Sequence, residues 1–203
     1  MKINTVTRQS NLQKYLNPNP ILRWLVRRFH ERIVGLVRAA GASHILDAGC
    51  GEGFTLRELH TDGVQAAMLG TDVSHNALAW NRANRMSSSP LIVADVRHLP
   101  FSPNSFDLVV CLEVLEHMPD AASGLSELLR VARDYVLISV PHEPFFRGAN
   151  FLRGRYLRRL GNNPEHLHAY SGPAFRRLLS AQAEVVWHGY SFPWQIALAR
   201  KKR

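Results

Sequence analysis

The stretch Ile45-Leu46-Asp47-Ala48-Gly49-Cys50-Gly51-Glu52-Gly53 decides how this 203-residue chain folds. An apolar run ends in an acid, and three glycines alternate with other residues before Phe54 opens a helical pattern. Glycine at such a strand-to-helix turn permits tight turning and close backbone approach to a ligand, while the helix start leaves N–H groups free. The dinucleotide pattern G-x-G-x-x-G would need glycine at position 54, where Phe54 stands. A pyrophosphate ligand is therefore disfavoured.

Outward from this loop the pattern alternates. His44 to Ala48 reads as a strand, Phe54 to His60 as a helix and Ala66 to Thr71 as a strand. Ser74 caps a helix to Arg85, Leu91 to Ala94 is a short strand, and Phe106 to Leu112 a continuous apolar one. Asp120 to Ala132 is a helix and Tyr135 to Val140 a second buried strand. Apolar strands without polar alternation suit a parallel sheet covered on both faces, and strand–helix alternation argues for a doubly wound α/β fold. Upstream, Asn19-Pro20 caps a helix from Ile21 to Ala40 that Gly41 ends, and Met1 to Asn17 reads as a loose arm. Downstream, Ser171-Gly172-Pro173 starts a helix through Ala181, and Glu184 to Tyr190 with Gln195 to Arg200 read as a final hairpin.

Asp47, Asp72 and Asp95 each close one of the expected parallel strands. Ligands of open α/β sheets bind at those carboxyl ends. An acid at Asp72 suits the two hydroxyls of a ribose, and one at Asp95 suits an adenine amino group. Singly, each acid reads as a strand end or helix cap. Together with the glycine loop they indicate a nucleoside cofactor.

The run Ile45 to Gly53 resembles motif I of class I, S-adenosyl-L-methionine-dependent methyltransferases. Val93-Ala94-Asp95-Val96-Arg97-His98-Leu99-Pro100-Phe101 resembles the D-x-x-x-L-P-F segment of their small-molecule, type 11-like branch. Phe106-Asp107 through Leu115-Glu116-His117 is similar to the segment that ends in LEH. The resemblance covers about Ile45 to Val140. It implies a seven-stranded Rossmann-like sheet, mostly parallel with an antiparallel last strand and helices on both faces. It implies one domain over 1–203: an arm and helix to 43, a cofactor core over 44–140, an arginine-rich lid insertion over 141–171, and a last helix and hairpin over 172–203. It also implies roles. Gly49 and Gly51 pass under the methionyl group, with Cys50 beside them. Asp47 holds its ammonium near the Cys111 carbonyl. Asp72 grips the ribose beside Val73, and Asp95 with the Val96 backbone reads adenine. Phe54, Leu99 and Leu112 read equally as cofactor packing and as core.

The formal charge of +9 invites an anionic partner. Arg147, Arg153, Arg155, Arg158 and Arg159 interleave with Phe145, Phe146, Phe151, Leu152, Tyr156 and Leu160. That segment reads either as a lid meeting an anionic membrane through 145–160, or as a solvated lid helix. No apolar run is long enough to span a bilayer, and Met1 to Gln9 lacks the apolar stretch of a secretory signal. Cys50 and Cys111, both read at strand ends, form no disulfide or zinc pattern; a cytoplasmic setting is expected, with peripheral membrane contact as the variant. No metal site is expected.

The acceptor is expected to be a small molecule, amphiphilic or lipid-linked. His142-Glu143 follows a strand at the active edge, making His142 the leading base candidate; a loop pair bonded to backbone is the bland alternative. His117 reads as a second candidate or as a brace for the next helix. His166, His168 and Tyr170 are weaker candidates. An RNA methyltransferase is one alternative, disfavoured because no Asn/Asp-Pro-Pro-aromatic motif follows the fourth strand, which reads Cys111-Leu112-Glu113-Val114. A non-catalytic domain that retains the cofactor fold is another.

Overall fold

The alternation produces one seven-stranded sheet in the computed structural model, which describes residues 11–142 and 167–202. The strands are β1 (His44–Ala48), β2 (Ala67–Asp72), β3 (Leu91–Val93), β4 (Phe106–Leu112), β5 (Ala132–Pro141), β6 (Ala183–Ser191) and β7 (Trp194–Lys201). Across the sheet they run β3-β2-β1-β4-β5-β7-β6. β1 to β5 pair in parallel, and β7 lies antiparallel between β5 and β6. Strand order reverses between β1 and β4, so the crevice that such a switch point opens falls beside the glycine loop.

The helices are α1 (Asn11–Tyr15), α2 (Pro20–Ala40), α3 (Phe54–Thr61), α4 (His75–Ala83), α5 (Ala121–Val131) and α6 (Gly172–Gln182). Their starts are written in short polar side chains. Asn19 accepts from the Ile21 and Leu22 N–H groups, while Ser74, Asp120 and Ser171 each accept from the N–H three residues on. Gly41 ends α2 at φ 61°, in the left-handed region.

Successive strand residues feed two cores. Val109 and Cys111 of β4 join Leu125 and Leu128 of α5 and Phe175 and Leu179 of α6 on one face. Leu108 and Val110 join Phe29, Ile33 and Val37 of α2 and Leu56 and Leu59 of α3 on the other. This alternation of a pleated strand between two apolar layers is why β4 carries no polar register. Only Gly41 to Ser43 separate α2 from β1, so α2 runs antiparallel to β1. Its N-terminal end therefore lies at the carboxyl edge of the strands.

Three expectations shift. Residues 11–15 are not a loose arm: they form α1, fixed by contacts remote in sequence. Cys50 lies in the turn after β1 rather than in a strand, and both cysteines are buried and unbridged. β5 begins at Ala132 because it follows α5 with no intervening loop. The arginine-rich segment 145–161 lies outside the described residues.

Candidate active site

The carboxyl ends of β1 and β4 and the start of α3 enclose a cavity lined by Asp47, Gly49, Cys50, Phe54, Leu112 and Glu113, with Lys14, Tyr15, Phe29 and Thr55. The loop is pinned from beneath: the Gly49 and Cys50 N–H groups donate to the Thr71 carbonyl at 2.7 and 2.8 Å. Gly49 sits at φ 85°, and a side chain there would overlap a methyl of Val114. Glycine is thus required twice over, by conformation and by space.

Asp72 ties β2 to this loop. One of its oxygens accepts from the Gly51 N–H at 2.9 Å and the other from the Ser74 N–H at 2.7 Å. Asp47 is buried, and its Oδ2 has no hydrogen-bond partner among the described residues. Burial first, and the neighbouring Asp72 charge second, push its carboxyl up to about 7. Val73 is 54% exposed at the same edge. One strand farther out, Asp95 pairs with the Arg97 guanidinium, whose hydrogen bonds hold its carboxyl down at about 2. Val96 is buried below it.

The β4 side supplies groups that no local pattern announced. Glu113 adopts φ 59°, a conformation rare for a side chain outside glycine and asparagine. Its carboxylate lines the cavity and accepts from the Trp194 indole N–H at 2.6 Å. Tyr15 stacks on Phe54 with ring centres 3.9 Å apart, and its hydroxyl shares a 2.7 Å hydrogen bond with His30 Nε2. Desolvation holds His30 at about 3, so its ring is neutral. Only a tertiary contact reveals Tyr15, because a five-residue helix carries no apolar stripe.

The histidines divide. His142 is half-buried after β5; its N–H donates to the Pro193 carbonyl at 2.9 Å and its ring lies edge-on to Tyr190. His117 sits in a 3₁₀ turn, with Nε2 3.9 Å from the fully buried Glu116. Neither lines the cavity. Nε2 of His168 bonds the Pro119 carbonyl at 3.3 Å, a bracing contact. Tyr170 is buried, and desolvation lifts its hydroxyl to about 12. Glu143 and His166 lie outside the described residues. Among the described residues no group of three side chains is placed to hold a metal ion.

The family described as methyltransferase domain matches residues 46–138, which carry the glycine loop, all three acids and Glu113. The matched residues are similar to a methyltransferase domain. The ubiquinone biosynthesis O-methyltransferase of Thiobacillus denitrificans is 31% identical to this chain over 120 residues, 57% of this chain and 47% of that protein. The chain spans about half the length of the curated relatives it matches. The fold of the chain also superposes on solved structures. Magnesium protoporphyrin IX methyltransferase from Synechocystis, with bound S-adenosylmethionine, gives a TM-score of 0.71 at 18% identity, covering 98% of this chain and 93% of that one. The PH0226 protein of Pyrococcus horikoshii gives 0.73 at 17% identity, covering 99% and 100%.

Proposed function

We propose that this chain transfers a methyl group from S-adenosyl-L-methionine to a small-molecule acceptor. One observation carries the reading: polar groups lie in a row across the carboxyl edge, in the order of the parts of a nucleoside attached to an amino acid. Asp95 and Val96 follow β3, Asp72 and Val73 end β2, and Asp47 with the glycine loop ends β1. The residues present fit the cofactor. An orphaned carboxylate oxygen on Asp47, in the wall of the cavity, suits a bound ammonium. Lys14 on that wall suits the carboxylate of the methionyl group. Backbone N–H groups hold both Asp72 oxygens at the end of β2, and a carboxylate placed there suits the paired hydroxyls of a ribose.

The cofactor supplies a methyl already activated on sulfonium, so the protein's task is alignment and exclusion of water. Gly49, Gly51, Cys50 and the backbone of Cys111 form the floor under the methionyl group. Val73 offers an apolar face to the base, and Asp95 and Val96 meet its edge. Tyr15 and Phe54 cover the cavity from the helix side. Glu113, held by Trp194 in a left-handed conformation, faces the cavity better than His142 or His117; strain of this kind is a mark of function. Glu113 is therefore the polar group that meets the acceptor side, and His142 orients the β6–β7 hairpin through Tyr190. The curated relatives named as O-methyltransferases favour an oxygen acceptor.

Calorimetric titration with S-adenosylmethionine tests the assignment. Asp72→Asn, which keeps one acceptor oxygen, should weaken binding about tenfold or more, since a hydrogen bond to a charged group is worth roughly 1.5–3 kcal/mol. Unchanged affinity in a folded variant removes Asp72 from the ribose. A labelled-methyl screen of cell extract then identifies the acceptor class; absence of any labelled product with intact cofactor binding makes the chain a binding domain.

A further inference from the structure

The face of α2 turned away from the sheet is unlike an ordinary solvated helix face. Phe29, Ile33, Val26 and Val37 bury one side. At 100° per residue, Trp24 falls opposite the centre of that buried stripe. It is 49% exposed, with the Arg28 guanidinium over its ring, and Ile21 beside it is 66% exposed. Leu16, just before the helix, is 65% exposed. Scattered surface apolar residues are ordinary; three gathered at one end of one helix are a patch. Around it Arg23, Arg27 and Arg28 are exposed, with Arg32 farther along over the Trp187 ring; the acids beside them are Glu31 on the same helix and Glu58 and Asp62 at the end of α3. Glu31 is spent on Arg27.

The position of the patch adds meaning. α2 runs antiparallel to β1, so Leu16, Ile21 and Trp24 lie toward the carboxyl edge of the sheet. Phe29 and His30, one and a half turns on, touch the cavity wall and its Tyr15 cover.

We propose that the N-terminal half of α2 docks on an anionic phospholipid surface. Trp24, Ile21 and Leu16 enter the headgroup region, and Arg23, Arg27, Arg28 and Arg32 meet lipid phosphates. Amphipathic helices that lie in the interface combine these two features, and tryptophan favours that depth. An RNA would satisfy the arginines but leave Ile21 and Leu16 without a partner. The proposal uses no residue of 145–160 and does not rest on the methyl-transfer reading, because binding needs no turnover.

Flotation with phosphatidylcholine vesicles, with and without phosphatidylglycerol, is the test. The wild-type chain should float with the anionic vesicles and stay behind with the neutral ones. Ile21→Gln with Trp24→Gln, and separately Arg23→Gln with Arg27→Gln and Arg28→Gln, should each cut partitioning about tenfold or more at an unchanged melting temperature. Failure of the wild type to float overturns the proposal, as does flotation of both variants at the wild-type level. So does salt-steep binding to RNA with none to vesicles.

Discussion

Asp47 concentrates the electrostatic cost of the site in one group. Burial and the Asp72 charge raise its carboxyl from 3.8 to about 7. A raised acid stabilises the fold only while protonated, so this contribution is whole below the unfolded value near 4 and lost as pH rises through 7. Each pKa unit is worth about 1.4 kcal/mol, so the loss at about pH 8 is on the order of a few kcal/mol. Asp47→Asn stays neutral. It should therefore melt above the wild type at alkaline pH, with the gap narrowing as pH falls toward 5, while binding the cofactor more weakly. A pH-independent gap in scanning calorimetry would contradict the burial account. Glu116, also raised by desolvation, is present in both proteins and leaves the difference to Asp47.

At the scale of the element, α1 is the part whose removal is most informative. It is too short to hold itself, and its place depends on the Tyr15 stack on Phe54 and the bond to His30. Stacked aromatic pairs contribute about 0.5–1.5 kcal/mol beyond area burial. Tyr15→Ala should therefore speed cofactor release up to roughly tenfold in stopped-flow measurements, and Tyr15→Phe less, with little change in melting temperature. Equal release from all three proteins would mean that α1 does not cover the cavity. The longer helices were legible because Asn19, Ser74 and Gly41 have side chains, or lack them, for reasons that act within one turn. The glycine loop was legible on the same ground. Tyr15, Glu113 and Trp194 were not. The last two meet across 81 positions, and a partner so distant leaves no period or spacing to read. His142 follows β5 as its place in the sequence predicts, but its ring contact with Tyr190 was not legible, because the way a loop side chain faces is set by the hairpin packed on it.

Across the whole molecule, β7 joins everything on the β5 side of the sheet. It bonds β5 on one flank and β6 on the other. Ala197 and Ala199 enter one core, and Ile196 and Leu198 the other. Truncating Ile196 to alanine should cost about 2–5 kcal/mol and lower the midpoint of a single transition. A two-step melt, with the hairpin lost first, would show that the sheet is not one cooperative unit. Doubly wound topology was readable from the alternation of elements, whereas the placement of β7 inside β6 depends on pairings that only the assembled sheet defines. The same strand begins with Trp194, whose indole is 2% exposed and bonded to Glu113. That indole is a built-in optical probe: an occupant that shifts Glu113 should alter its emission. Trp24, half-exposed beneath Arg28, reports on lipid instead, so single-tryptophan variants that keep either Trp194 or Trp24 can follow the filling of the cavity and the landing of the protein on a bilayer separately.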